Sequence, residues 1–292
     1  MGERVWLTER FTEHRTRLRA VAYRMLGSLT EADDAVQEAW LRVSRADTTG
    51  VENLSGWLTT VVTRVCLNML RARDSRREEA LDAHDFDQVD RTDGPDPEQE
   101  ALLADSVGLA LLVVLDTLAP AERIAFVLHD LFAVPFDEIA AMIDRTPAAT
   151  RQLASRARRR VNGGAPAPGT DVAGQRRVVD AFLLAARGGD FDALVALLDP
   201  DVVLHADRAA GPTPVPVEMR GATNVAKGAR LASARTRFTR PALVNGSVGL
   251  VMAPRGRLAV VLAFTIADDR VTAIDVIADP DRLRALELGV LD

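Results

Sequence analysis

Apolar residues in the first half of the chain return every three or four positions. In "FTEHRTRLRAVAYRMLGSLTEADDAVQEAWLRVSR", Phe11, Leu18, Val21, Ala22, Met25 and Leu26 form one stripe, and Ala35, Val36, Ala39, Trp40 and Val43 form another. That spacing predicts two helices with one apolar side each. Between them "GSLT" offers Gly27 as a stop and Thr30, with Asp33 three residues on, as a capped start, so the pair reads as a helical hairpin. After the polar loop "RADTTGVENLSG" a third helix is predicted from about Trp57 to Arg73. Its apolar side holds Leu58, Val61, Val62, Val65 and Leu67, while Arg64, Asn68, Arg71 and Arg73 point elsewhere and Arg76 and Arg77 follow.

A second helical module begins at Leu118, "LAPAERIAFVLHDLFAVPFDEIAAMIDRTPAATRQLASRARRRV". Pro120 can open a helix with Ile124, Val127, Leu128 and Leu131 on one face; a turn at 133–135 leads to "FDEIAAMI", and "DRT" to a last helix, which is helix-turn-helix spacing. Thr146 and Pro147 suit the cap and first position of that helix, because threonine accepts from an orphan amide and proline lacks one. At 100° per residue Ala149, Leu153, Ala157 and Val161 are expected inside, with Ala148, Arg151, Gln152, Ser155, Arg158 and Arg159 opposite. Small residues at the start of an arginine-lined face let a helix approach base edges, which is what a recognition helix in a major groove requires.

Beyond Val202 the period changes. "VVLHA", "TRPALV", "SVGLVMA", "RLAVVLAFTIA" and "RVTAIDVIA" are short, β-rich runs. They follow "RRVVDAFLLAARGGDFDALVALLDP", where Val178, Val179, Phe182 and Ala185 give an amphipathic helix, Gly188 and Gly189 break it, and Leu194, Leu197 and Leu198 continue on a second. The chain therefore reads as all-α followed by α+β. Two segments divide it: the acid-rich "EEALDAHDFDQVDRTDGPDPEQE", which has too few apolar residues to pack, and the Gly/Pro/Ala stretch "NGGAPAPGTDVAG" at 162–174.

Composition then removes several classes of function. A chain of 292 residues with 48% hydrophobic content and mean hydropathy near zero is expected to be a soluble protein of two or three domains. No apolar run reaches the ~18 residues of a membrane span, and the charged N-terminus does not read as a secretory signal, so a cytoplasmic location is expected. The single Cys66 and the scattered His14, His84, His129 and His205 show no metal-ligand spacing, and no metal or cofactor is expected. Although the formal charge is −6, six arginines fall between Arg145 and Arg160. A solvated basic helix is the bland explanation; helix-turn-helix spacing, a capped start and an opposed core stripe together favour DNA. Trp40 and Trp57 read first as core residues, and "EADDAVQE" as an acidic helix start.

These residues resemble the bacterial extracytoplasmic-function sigma factors. "LTEADDAVQEAWLRV" resembles region 2.2, "ENLSGWLTTVVTRVCLNMLRAR" regions 2.3 and 2.4, and the segment from Leu118 region 4, in the right order over about the first 163 residues. The resemblance implies that Asp33, Asp34, Gln37, Glu38, Leu41 and Arg42 dock on the clamp of the largest subunits of core RNA polymerase. It implies that the loop with Glu52, Asn53 and Ser55, beside Trp57, captures a flipped −10 base of promoter DNA while Arg64, Asn68, Arg71 and Arg73 hold the strand. The −35 element falls to Thr146, Ala148, Arg151, Gln152, Ser155, Arg158 and Arg159. Melting would then be a binding event whose base capture offsets unstacking, and an acidic free chain should bind DNA poorly without polymerase.

The C-terminal part resembles a SnoaL-like domain, an α+β cone built from a strand, a short helix at 222–231 and four more strands, carried by one subgroup of these factors as a regulatory element. The implied organisation is region 2 over 1–77, an acidic linker over 78–106, region 4 over 107–163, a linker over 164–175 and the cone over 176–292. The subgroup's Asp-Gly-Gly-Gly-Lys motif is reduced to "DRAAG", Asp207 to Gly211, and its Trp-Leu-Pro-Glu-Pro motif is absent. Its Asn-Pro-Asp-Lys-Leu motif survives as Asp279, Pro280, Asp281, Arg282 and Leu283. Those residues with Asp207 are the expected regulatory contact, and a small ligand of unidentified chemistry in the cone is a further expected partner. His205 and Asp207, two apart on one strand, are expected to face the same side. Catalysis is not expected. Two rivals remain: a helix-turn-helix regulator that works without polymerase, and a SnoaL-like enzyme with a helical extension.

Overall fold

A computed structural model of the chain describes residues 2–48, 50–79, 108–163, 171–211, 214–254 and 257–291. The expected acidic linker from residue 80 onward and residues 164–170 of the second expected linker lie outside the described residues. Packing groups the chain into two units, one of Met1–Val107 with Leu118–Arg158 and one of Gly108–Thr117 with Arg159–Asp292.

In the first unit α1 (Gly2–Leu26), α2 (Leu29–Val43) and α3 (Leu54–Glu79) pack on one another. The expected stripe of α1 is buried throughout, as are Ala35, Val36, Ala39 and Val43 of α2 and Leu58, Val62, Val65 and Leu67 of α3. Gly27, at φ 78°, ends α1, as its freedom to adopt positive φ allows. The cap of α2 is Ser28 rather than Thr30: its hydroxyl accepts from the Glu31 amide at 3.4 Å. Both residues can cap, and the earlier one fits because α2 begins directly after the turn.

The same unit holds the second helical module. Helix α5 (Pro120–Phe126) runs into one π turn, Val127–Leu131, before α6 (Phe136–Met142) and α7 (Pro147–Val161). Ala133 (φ 55°) closes the first connection, where the Val134 amide reaches Leu128 O at 2.9 Å, a Schellman-like end. This module packs on the first through α3 against α5 and α6. The buried arginine Arg123, 2% exposed, donates to Met25 O at 2.8 Å, and Arg73 donates to Leu26 O at 3.2 Å. Two guanidiniums thus satisfy carbonyls at the negative end of α1. The buried side of α7 is Thr150, Ala154, Ala157 and Val161, a correction to the expected Ala149, Leu153, Ala157 and Val161. Thr150 can turn inward because its hydroxyl bonds Thr146 O at 3.0 Å, which hides a polar residue from a hydrophobic pattern.

The second unit is a seven-stranded sheet in the order β2-β1-β6-β5-β4-β3-β7. Its strands are β1 (Leu198–Ala206), β2 (Val217–Arg220), β3 (Thr239–Val244), β4 (Ser247–Met252), β5 (Val260–Ala267), β6 (Arg270–Ile277) and β7 (Leu288–Gly289). Only β1 and β6 are parallel. Helices α8 (Val172–Gly188), α9 (Phe191–Leu197) and α10 (Ala222–Leu231), with a 3₁₀ turn at Ser233–Phe238, cover one face around Val179, Phe182, Leu194, Val202, Phe264 and Ile274. Gly189 (φ 65°) ends α8 as expected, and α11 (Pro280–Ala285) follows β6. β2 and β7 escaped the sequence reading because strands of four and two residues carry no usable alternation.

Helix α4 (Leu109–Asp116), also unexpected, packs on β3 and β7 within this unit; its "LALLVVL" is apolar on every side, and Leu109, Leu112, Val113, Val114 and Leu115 are buried. The last turn of α7 belongs here too. The Val290 amide donates to Val161 O at 2.8 Å, and the chain crosses itself at two glycines. A Cβ on Gly289 would lie 2.1 Å from Gly163 Cα, and one on Gly163 (φ 71°) 2.8 Å from Gly289 Cα.

Candidate nucleic-acid interface

On α2 the residues away from the buried stripe are Asp34, Gln37, Glu38, Leu41 and Arg42, all exposed. They recur at three- and four-residue spacing and so share one face. Arg42 pairs with Glu38 at 2.9 Å, and Leu41 keeps 42% of its surface, a large apolar side chain in a polar setting. Asp33 is set apart: Arg19 of α1 holds it at 2.8 Å. Beside this face an open groove of about 330 Å³ runs between α1 and α2, lined by Phe11, Val36, Gln37 and Trp40 among others. Trp40 is half-buried, its ring 4.9 Å from that of Phe11.

The loop before α3 is ordered by its own side chains. Asn53 caps the helix, its Oδ1 accepting from the Gly56 amide at 2.9 Å, and Ser55 Oγ accepts from Arg17 Nη1 at 3.0 Å. Glu52 is exposed and Trp57 half-buried. Along α3, Arg64, Asn68 and Arg71 form one exposed stripe. Arg64 Nη2 donates to Ala141 O of α6 at 3.2 Å. Arg73 does not join them, a correction to the expected strand-holding set. It lies nine residues past Arg64, half a turn out of phase at 100° each, and is 9% exposed, bonded to Leu26 O and paired with Glu31.

On α7, Thr146 acts as the cap, its Oγ1 accepting from the Ala149 amide at 3.2 Å. Ala148, Arg151, Gln152, Ser155 and Arg159 are exposed along one side. Arg151 lies 5.8 Å from the Phe136 ring. Arg158 is on the same side but folds back on Asp130 at 2.6 Å, a partner 28 residues away that helix arithmetic could not supply.

The two motif remnants of the sheet domain meet. Asp207, whose side chain is 10% exposed, accepts from the amides of Ala209 (3.1 Å), Ala278 and Asp279 (2.8 Å each), with Arg282 at 3.5 Å. Asp279 caps α11 by accepting from the Asp281 and Arg282 amides at 3.0 and 3.1 Å, which hold its carboxyl below the usual value. Pro280 takes the first helical position, Asp281 pairs with Arg284, and Leu283 is buried. His205 lies 3.7 Å from Glu218 on β2, and Asp207 lies one residue past the end of β1. Thr239 is the one polar or charged residue of the sheet domain that is buried as a whole among the described residues. Among the described residues no histidine, cysteine or carboxylate cluster could hold a metal, and no helix is long and apolar enough to cross a membrane.

Arg123 and Arg17 were missed by sequence reading. An arginine within an amphipathic helix reads as solvated, and only the fold shows that Arg123 reaches a carbonyl 98 residues away.

A three-helix module with an exposed face and a capped, arginine-lined helix-turn-helix together define a sigma-type transcription initiation factor. Residues 10–76 match Sigma-70 region 2 and residues 108–161 match Sigma-70 region 4. The chain is 37% identical over 282 residues to the probable ECF RNA polymerase sigma factor SigI of Mycobacterium tuberculosis H37Rv, covering 94% of this chain and 95% of that one. It is also 37% identical to SigJ of the same organism, covering 93% and 91%. The crystal structure of M. tuberculosis SigJ aligns at 35% identity over 94% of this chain and 97% of that one, with a TM-score of 0.47. The chain belongs to the ECF RNA polymerase sigma factors, which are not enzymes. Its fold is two helical sigma modules followed by an α+β sheet domain.

Proposed function

We propose that this cytoplasmic sigma factor docks on the clamp of core RNA polymerase through Asp34, Gln37, Glu38, Leu41 and Arg42 of α2, with the groove at Trp40 seating an apolar side chain of the clamp. The Glu52–Ser55 loop takes the −10 base, Arg64, Asn68 and Arg71 hold the non-template strand, and the exposed side of α7 reads the −35 element. The observation that carries this reading is that three separate faces, on α2, α3 and α7, stay exposed in the order in which a sigma factor needs them. α3 is packed on α5 and α6, so its strand-holding stripe becomes fully available when the helix-turn-helix module leaves it. The Asp207 and Asp279 node is the regulatory part of the sheet domain, acting through the placement of α11. The test is abortive transcription with purified core polymerase on a promoter library, with and without the chain. Promoter-dependent initiation is expected only with both; a chain that fails to bind core ends the proposal.

A further inference from the structure

The sheet domain carries a charge pattern that the sigma activity does not use. From Met219 to Ala267 the sequence has eight basic residues and no acidic one, within a chain of net charge −6. The fold gathers part of this run at one end of the domain. The last turn of α10, the 3₁₀ turn and the start of β3 are consecutive in the chain, and the last turn of α8 packs on the 3₁₀ turn. These elements bring together Arg187, Arg230, Arg235 and Arg237, all exposed, and the half-buried Arg240.

Two cations are drawn to one acceptor there. Arg187 Nη2 donates to Thr239 O at 2.7 Å and Arg240 Nη1 to the same oxygen at 3.0 Å. Burial, and then the nearby Arg240, pull the Arg187 guanidinium down. Like charges gathered around one carbonyl oxygen raise the local positive potential, which favours an external anion.

We propose that the Arg187, Arg230, Arg235, Arg237 and Arg240 surface is a second, sequence-independent DNA site, which takes the phosphodiester backbone of duplex DNA. The ligand is a polyanion because the cations spread along successive elements, where a single phosphate or carboxylate would leave most of them unmatched. It is DNA because the chain belongs to a family that works on promoters, so duplex is the polyanion kept at high local concentration; to that extent the inference rests on the sigma reading. Ser233, half-buried, lies between the arginines and suits a backbone contact that carries no sequence information.

The test is fluorescence anisotropy of the full chain with a 30-base-pair duplex lacking any promoter, at ~25–150 mM NaCl, where nonspecific affinities are measurable. Arg235→Gln/Arg237→Gln should weaken binding about fivefold at the lowest salt and make the slope of log K against log [salt] shallower by about 2, since each phosphate contact contributes ~0.9. Arg235→Lys/Arg237→Lys should restore that slope, whereas Arg151→Gln/Arg159→Gln should leave the patch contribution in place. A glutamine variant with the wild-type slope overturns the proposal. So does a poly-glutamate peptide that competes as well as duplex, because the surface would then suit an acidic protein. The glutamine variant should still support initiation with core polymerase on DNA ending at the −35 element; if no variant and no wild-type chain initiates there, the sigma reading has failed rather than the patch.

Discussion

Cys66 and Arg73 lie seven residues, about two turns, apart on one side of α3: both are interior residues, and each sets a measurable property of the first unit. Burial pushes the Cys66 thiol up from 9.0 to about 12. The native state therefore keeps a proton that the unfolded chain releases above pH ~8.5–9. Over that window the native state binds more protons, so stability falls as pH rises, by about 1 kcal/mol per pH unit, until the folded thiol itself ionises. Urea unfolding of the wild type and Cys66→Val between pH 8 and 11 should show that decline in the wild type and a smaller one in the variant. Arg73→Ala removes a guanidinium bonded to Leu26 O and paired with Glu31, leaving both acceptors in a site that is 9% exposed. A loss of about 2–3 kcal/mol in urea unfolding is expected. An Arg73 that served DNA alone would leave stability unchanged and would lower only promoter activity.

At the scale of elements, the faces of α1, α2 and α3 were legible because their apolar residues keep helical period and nothing in their surroundings overrides it. The exposed side of α7 was legible for the same reason, and Arg151→Ala is expected to cost about 1–3 kcal/mol of promoter discrimination, read as promoter-specific initiation, with core binding intact. Legibility stopped where a residue's role depends on a partner distant in sequence. Arg158 leans on Asp130, and Arg73 on Leu26 O and Glu31; Thr150 escaped differently, by hiding its hydroxyl on Thr146 O one turn away. The short strands β2 and β7 exist only as neighbours of β1 and β3. The glycine crossing is of the same kind. Gly289→Val puts a side chain where Gly163 Cα already lies, 2.1 Å from the first added carbon, so β7 must leave β3. The variant should lose several degrees of Tm for the second unit, whereas Gly188→Val, with open space at its Cβ, should lose less.

For the whole molecule, the boundary read from composition and the boundary set by packing answer different questions. Sequence similarity assigns residues 108–161 to Sigma-70 region 4, yet α4 and the last turn of α7 pack with the sheet domain. A chain cut after residue 170 should therefore still bind core polymerase but expose the apolar α4. Increased binding of a hydrophobic dye and a lower aggregation temperature are the expected readouts, and a cut chain as soluble as the full one would show that α4 finds other cover. The same arrangement governs how the protein is made. Roughly 170 residues separate α4 from β7, the later of the two strands it packs on, so at ~5–20 residues per second the ribosome needs about 10–30 s to complete that surface. During that interval an all-apolar helix waits without its cover, and the window for capture by a chaperone is written into the distance between two short elements.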